Sequence, residues 1–193
     1  MNIEHDQSEQ FPFLADLENN WAIVLSELNG LLQDQDTTAP NFIPWHETYL
    51  YEGTWDVYGL FAFGKKIEEN CEKCPNTTKL VESIPGLVTA GFSALAPNTH
   101  IRPHVGYTLD VLRSHLGLII PKPLSDHDRR SAPDLIAGTC SLRVASTIYT
   151  WEPGKAFVFD DTIEHEAFNW GHSTRYILMV DFKKPAEVGG VAP

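Results

Sequence analysis

Residues 100–121 read H-I-R-P-H-V-G-Y-T-L-D-V-L-R-S-H-L-G-L-I-I-P. Three histidines and two arginines sit in a segment that otherwise has the apolar character of a buried strand. Side chains two apart along a strand share a face. Over residues 107–120, Val111, Arg113, His115 and Gly117 therefore point one way, and Leu112, Ser114, Leu116 and Leu118 the other. The second set is a plain core face. The first sets an arginine beside a histidine, and both are costly to bury unless an anion pairs with them. An anionic ligand in a barrel mouth is the expected partner. Upstream lies His104, whose same-face neighbour Gly106 has no side chain.

Further strands flank this stretch in close order: Trp55–Phe63 before it, then Thr89–Leu95, and after it Ser141–Thr150, Ala156–Asp160, Glu164–Asn169 and Arg175–Phe182. Turn signals separate them at Pro97-Asn98, Pro121 to Pro123, Glu152-Pro153-Gly154 and Gly171-His172. The N-terminal third is different. Residues 1–10 form a polar tail, and Leu14, Leu17, Trp21, Val24, Leu25, Leu28, Leu31 and Leu32 predict one amphipathic helix to about Gln35, ended by the turn cluster 34–40. Residues 65–78 read as a loop, Lys79–Ile84 as a short helix, and residues 125–138 as a long polar loop. The pattern predicts one domain over 11–185, with a helical part at about 11–85 and a β core at about 88–183. Mainly antiparallel strands after a helical segment predict a sheet pair or barrel with helices packed outside.

A chain of 193 residues with 42% hydrophobic content can bury a core without disulfides. The net charge of -12 argues against nucleic acid as a partner. The acidic N-terminus has no apolar leader, and no apolar run is long enough for a membrane span, so a soluble, cytoplasmic chain is expected. Three cysteines exclude a complete disulfide framework. Cys71 and Cys74 lack a second pair for zinc and read as thiols on a surface loop.

A second histidine centre lies in F-D-D-T-I-E-H-E, residues 159–166. Glu164 and Glu166 face away from His165 in a strand. Arg175 opens the apolar run that follows, and an arginine at a strand mouth suits a carboxylate clamp. One histidine in a strand is commonly a satisfied core or surface residue. Two histidine centres and two arginines at strand positions favour a metal or anion site instead.

Taken together, the run from His104 to Pro121, the segment W-E-P-G-K-A-F-V-F-D-D-T-I-E-H-E over 151–166, and R-Y-I-L-M-V-D over 175–181 resemble the aspartyl/asparaginyl β-hydroxylase family. The likeness extends from Phe11 to Asp181. It implies a double-stranded β-helix, a cupin-like jelly roll that is mainly β with flanking α-helices. It further implies an iron(II)- and 2-oxoglutarate-dependent dioxygenase with His104 and His165 as metal ligands and catalytic centre. Gly106 stands where related oxygenases carry an acid, so water would take that ligand's place. Arg175 with Ser93 would bind the distal carboxylate of 2-oxoglutarate, Arg113 and His115 would lie near its metal-bound end, and Trp55 would line the pocket.

The reaction so implied hydroxylates the β-carbon of an Asp- or Asn-like residue, peptide or small molecule, with release of succinate and carbon dioxide. The expected partners are that substrate, dioxygen and no nucleic acid. The competing expectation is a non-catalytic cupin-like module that binds an anion or metal. A further variant adds Asp110, on the face parity of His104, as a carboxylate ligand.

Overall fold

A computed structural model describes residues 7–33, 42–122 and 140–185. Its elements in chain order are α1 (Phe13–Asn19), α2 (Trp21–Gln33), β1 (Ile43–Pro44), β2 (Tyr51–Glu52), β3 (Trp55–Ala62), β4 (Lys65–Lys66), α3 (Glu68–Lys73), α4 (Pro75–Glu82), β5 (Leu87–Leu95), β6 (Thr99–His104), β7 (Val111–Ile119), β8 (Cys140–Val144), β9 (Thr147–Tyr149), β10 (Ala156–Phe159), β11 (His165–Asn169) and β12 (Arg175–Lys183). The strands form two antiparallel sheets. A seven-stranded sheet runs β1-β3-β5-β12-β7-β10 with β4 beside β3, and a five-stranded sheet runs β2-β6-β11-β8-β9. This is a double-stranded β-helix with helices on one side.

Three layers result, and the period-two pattern explains why. Leu116, Leu118, Leu178, Val180, Phe92 and Tyr58 face outward from the larger sheet onto Leu14, Leu17, Val24, Leu28, Leu31 and Val81 of the helices. The alternate residues face inward, where Leu95, Ile177 and Met179 meet Ile101, Leu142, Val144 and Ala167 of the smaller sheet. The larger sheet is thus covered on both faces, which is why its strands read as nearly continuous apolar runs. Among the described residues no helix is long and apolar enough to cross a membrane.

Several sequence expectations are corrected. The single N-terminal helix is two, broken at Asn20, whose side-chain amide donates to the Asp16 carbonyl at 2.8 Å and so competes with the helical ladder. Leu32, expected on the buried stripe, is exposed. The segment 65–78 holds β4, α3 and the start of α4 rather than a loop. Its first-turn amides at Asn76 and Thr77 are satisfied by Glu27 of α2, at 2.8 Å each. The strand expected over 141–150 is a hairpin of β8 and β9, turned at Ala145 with φ 49°. The long strand 107–120 begins only at Val111.

The cysteine pair is not on the surface either. Cys71 and Cys74 are buried on α3 and its C-terminus. Burial pushes the Cys74 thiol up to about 12 and Cys140 up to about 11, so both stay protonated and inert at neutral pH. Residue 7 of the expected tail is docked: the Gln7 amide exchanges hydrogen bonds of 3.0 and 2.8 Å with the Val158 backbone, covering the free edge of β10. The expected turn cluster 34–40 and the whole of the long polar loop at 125–138 lie outside the described residues.

Candidate active site

His104 ends β6 and His165 begins β11, and the antiparallel register places them directly opposite each other. Their ring centroids are 4.3 Å apart. Each ring is tied at Nδ1 to a backbone carbonyl two residues back: His104 to Arg102 at 2.8 Å and His165 to Ile163 at 2.9 Å. A carbonyl only accepts, so in the neutral ring Nδ1 holds the hydrogen and Nε2 presents its lone pair. Burial drives the His165 pKa down to about 3 and also lowers that of His104. Two neutral, oriented imidazoles on adjacent strands are the donor set a divalent transition metal takes. Among the described residues no group of three or more His, Cys, Asp or Glu side chains is arranged to hold a metal. A metal here would have two protein ligands and open positions.

His165, His104, Arg113, His115, Arg175, Ser93 and Trp55 line one cavity between the sheets, so the structure brings all seven residues singled out from sequence together. Arg175 is 2% exposed, and among the described residues no carboxylate pairs with it. Its Nη2 donates to Ser93 Oγ at 3.0 Å, its guanidinium lies 4.7 Å from the Trp151 ring centroid, and its Nε has no partner. Burial pulls its pKa down to about 10, which still leaves it charged at neutral pH. The Trp55 indole also donates to Ser93 Oγ, at 3.0 Å. That hydroxyl, accepting twice, retains its own hydrogen for donation to a ligand. A corner so arranged can receive an anion.

His115 is neutral for the same reason as the others, buried and also facing the charges of Arg175 and Arg113. Its tautomer is the opposite one. Trp151 Nε1 donates to His115 Nδ1 at 3.2 Å, so Nε2 carries the hydrogen and acts as a donor. Gly117, next on this face, allows the chain at 152–155 to lie against β7. A Cβ there would come within 2.1 Å of the Glu152 carbonyl oxygen.

Arg113 departs from expectation. The sequence asked for a ligand anion, but the protein supplies its own. Nε and Nη2 donate to Asp181 at 2.6 and 2.9 Å, and Asp161 lies 3.4 Å away. Burial alone would lower its pKa, but the charge and hydrogen bonds of Asp181 carry it above the ordinary arginine range. Asp161 is fully buried with both carboxylate oxygens unbonded, and burial raises its pKa against the pull of Arg113. It also explains the missing side chain at Gly106. A Cβ at 106 would lie 2.3 Å from Asp161 Oδ2, and the Gly106 amide donates to the Asp161 carbonyl at 2.7 Å. The space an acid at 106 would enter holds an acid from the neighbouring segment.

Asp110 is exposed beyond the end of β6 and lines neither cavity, because the chain leaves the strand at Val105. His100 and Glu166 pair at 2.7 Å on the outer face, where Glu166 also meets Arg143. Sequence reading gave no role to Asp161, Asp181 or Trp151. Asp181 carried a usable signal: it shares the strand parity of Arg175, Ile177 and Met179 on the pocket face.

The two sheets thus enclose a histidine pair and, among the described residues, an arginine without a carboxylate partner. The chain matches the aspartyl/asparaginyl beta-hydroxylase family over residues 18–185 and belongs to it. It is 38% identical over 177 residues to an ornithine lipid ester-linked acyl 2-hydroxylase of Rhizobium tropici, covering 91% of this chain and 58% of that protein. It is 34% identical over 176 residues to human aspartyl/asparaginyl beta-hydroxylase, covering 88% of this chain and 21% of that one. The chain thus spans about three-fifths and about one-fifth of these relatives. Among solved structures, a predicted oxalate decarboxylase of Thermotoga maritima aligns with TM-score 0.47 and 10% identity, over 75% of this chain and 93% of that one.

Proposed function

We propose that this chain is an iron(II)- and 2-oxoglutarate-dependent hydroxylase. The observation that carries the reading is the pairing, in one cavity, of two Nδ1-tied neutral histidines with a buried arginine that lacks a counter-ion among the described residues. His104 and His165 would hold the metal through Nε2. Arg175 and the Ser93 hydroxyl would receive the distal carboxylate of 2-oxoglutarate, with the Trp55 indole holding the serine in place. His115, donating from Nε2, would bond an oxygen of the same molecule nearer the metal.

When bound, iron(II) with 2-oxoglutarate supplies the chemistry that puts one oxygen of dioxygen into a C–H bond and the other into succinate, with loss of carbon dioxide. The chain's own part is binding, orientation and exclusion of water. Leu142, Phe159, Ala167, Ile177 and Met179 give the cavity apolar walls. Asp161, beside Arg113, fills the space that a side chain at 106 would enter. Family membership supports either of two substrate carbons: the β-carbon of an Asp- or Asn-like group, or an acyl carbon of a lipid as named for the Rhizobium relative.

The test is anaerobic titration of the chain with iron(II) and 2-oxoglutarate, followed by succinate assay in air. A visible charge-transfer band and succinate release with one added oxygen on a peptide or lipid substrate are expected. The absence of both would leave the non-catalytic cupin-like module.

A further inference from the structure

Outside the histidine pair the cavity opens into a vestibule whose walls include Trp45, Glu47, Tyr49, Trp55, Val105 and Tyr107. Its polar character is one-sided. Both oxygens of Glu47 are oriented by neutral donors: the Trp45 indole gives a hydrogen bond to Oε2 at 3.2 Å and the Tyr49 hydroxyl gives one to Oε1 at 2.9 Å. Among the described residues no lysine, arginine or histidine forms an ion pair with Glu47. Arg113 reaches the same wall, but its charge is matched by Asp181 and Asp161. Glu47 thus presents a carboxylate without a cationic partner among the described residues, set beside aromatic rings.

The rings are organised as well. Trp45 stacks on Trp55, with centroids 4.6 Å apart and planes 15° from parallel. Such faces attract a desolvated cation through the ring quadrupole, and a carboxylate beside them adds direct attraction. Past the vestibule the loop after His104 carries an apolar rim. Leu109 is 77% exposed, Phe63 is 71% exposed, and Phe63 stands edge-on to Tyr107 at 5.5 Å. Val105 and Tyr107 belong to vestibule and rim alike, so the two surfaces are continuous.

We propose that this vestibule receives a cationic group, a primary or quaternary ammonium, on an amphiphilic substrate. Glu47 pairs with the charge, Trp45 and Tyr49 flank it, and the alkyl part lies along Val105, Tyr107, Leu109 and Phe63. The inference rests on the hydroxylase reading and narrows its substrate. The net charge of -12 acts in the same direction, drawing cations toward the protein and repelling anionic amphiphiles. Each methylene laid on the rim adds to binding by leaving water.

The experiment is calorimetric titration of the chain, loaded with manganese(II) and 2-oxoglutarate, with four probes below micellar concentration. These are decyltrimethylammonium, decyl sulfate, an uncharged decyl glycoside and tetramethylammonium. Decyltrimethylammonium should bind roughly tenfold more tightly than the glycoside. Glu47→Gln should erase that preference while leaving the glycoside and 2-oxoglutarate unaffected. Leu109→Asp should weaken both neutral and cationic decyl probes and leave tetramethylammonium unchanged. Equal binding of cationic, neutral and anionic probes, or a cation preference that survives Glu47→Gln, overturns the proposal. So does a decyl probe that gains nothing over tetramethylammonium. Failure of 2-oxoglutarate to bind wild-type chain sinks the hydroxylase reading instead, and the probe series repeated without metal or cosubstrate reads the vestibule separately.

Discussion

Two buried arginines face the same cavity from adjacent strands, and their surroundings differ in one respect. The β7–β12 register puts Asp181 directly opposite Arg113, whereas the β5–β12 register puts Leu95 opposite Arg175. Arg113 is therefore neutralised inside the protein. Arg175 has a serine, an indole face and an unbonded Nε. A buried charge with its own counter-ion is part of the scaffold. One without is a site whose cost is offset only when a ligand arrives.

The contrast breaks most sharply at Asp181. Asp181→Ala leaves Arg113 buried with only Asp161 near it, 3.4 Å away and not hydrogen-bonded, and should cost about 3–5 kcal/mol of folding stability. Chemical denaturation would show it, and a loss under about 1 kcal/mol would mean that Asp161 suffices. Arg175→Met should do the reverse. The apo protein is expected to hold or gain stability, while affinity for 2-oxoglutarate falls by about 2–5 kcal/mol, roughly 30-fold or more. Titration calorimetry beside thermal melting reads both. Destabilisation without loss of 2-oxoglutarate binding would make Arg175 a second scaffold residue.

A smaller effect sharpens the picture at the metal end. His165 has a folded pKa of about 3, against about 6.5 unfolded. Between those values the unfolded chain binds more protons, so stability is full above about pH 6.5 and falls as the pH drops toward 3. The slope from this residue is at most about 1.4 kcal/mol per pH unit. Asp161, with its raised pKa, takes up a proton in the folded state and partly offsets the loss at the acid end. Melting curves from pH 8 to 5 should decline in wild type and decline less steeply in His165→Gln, where His104 and His115 keep the remaining dependence.

Strand parity made much of this visible in advance. Alternation along residues 111–118 separated the pocket face from the core face correctly, because a sheet covered on both sides still obeys period two. The pairing of Arg113 with Asp181 was hidden, since register across 68 residues is set by the whole sheet and leaves no local mark. The start of α4 was missed for a related reason: its capping carboxylate, Glu27, comes from another helix. Asp161 was quoted within its motif, yet only the approach of its segment to Gly106 gives it meaning.

The two sheets also divide the labour. Both histidines of the pair belong to the five-stranded sheet, while Trp55, Ser93, Arg113, His115 and Arg175 all belong to the seven-stranded one. On the proposed function, metal alone fastens to one sheet and 2-oxoglutarate alone to the other. Only the two together make a stitch across the seam, so amide exchange in β6 and β11 should slow more with both present than the sum of each separately.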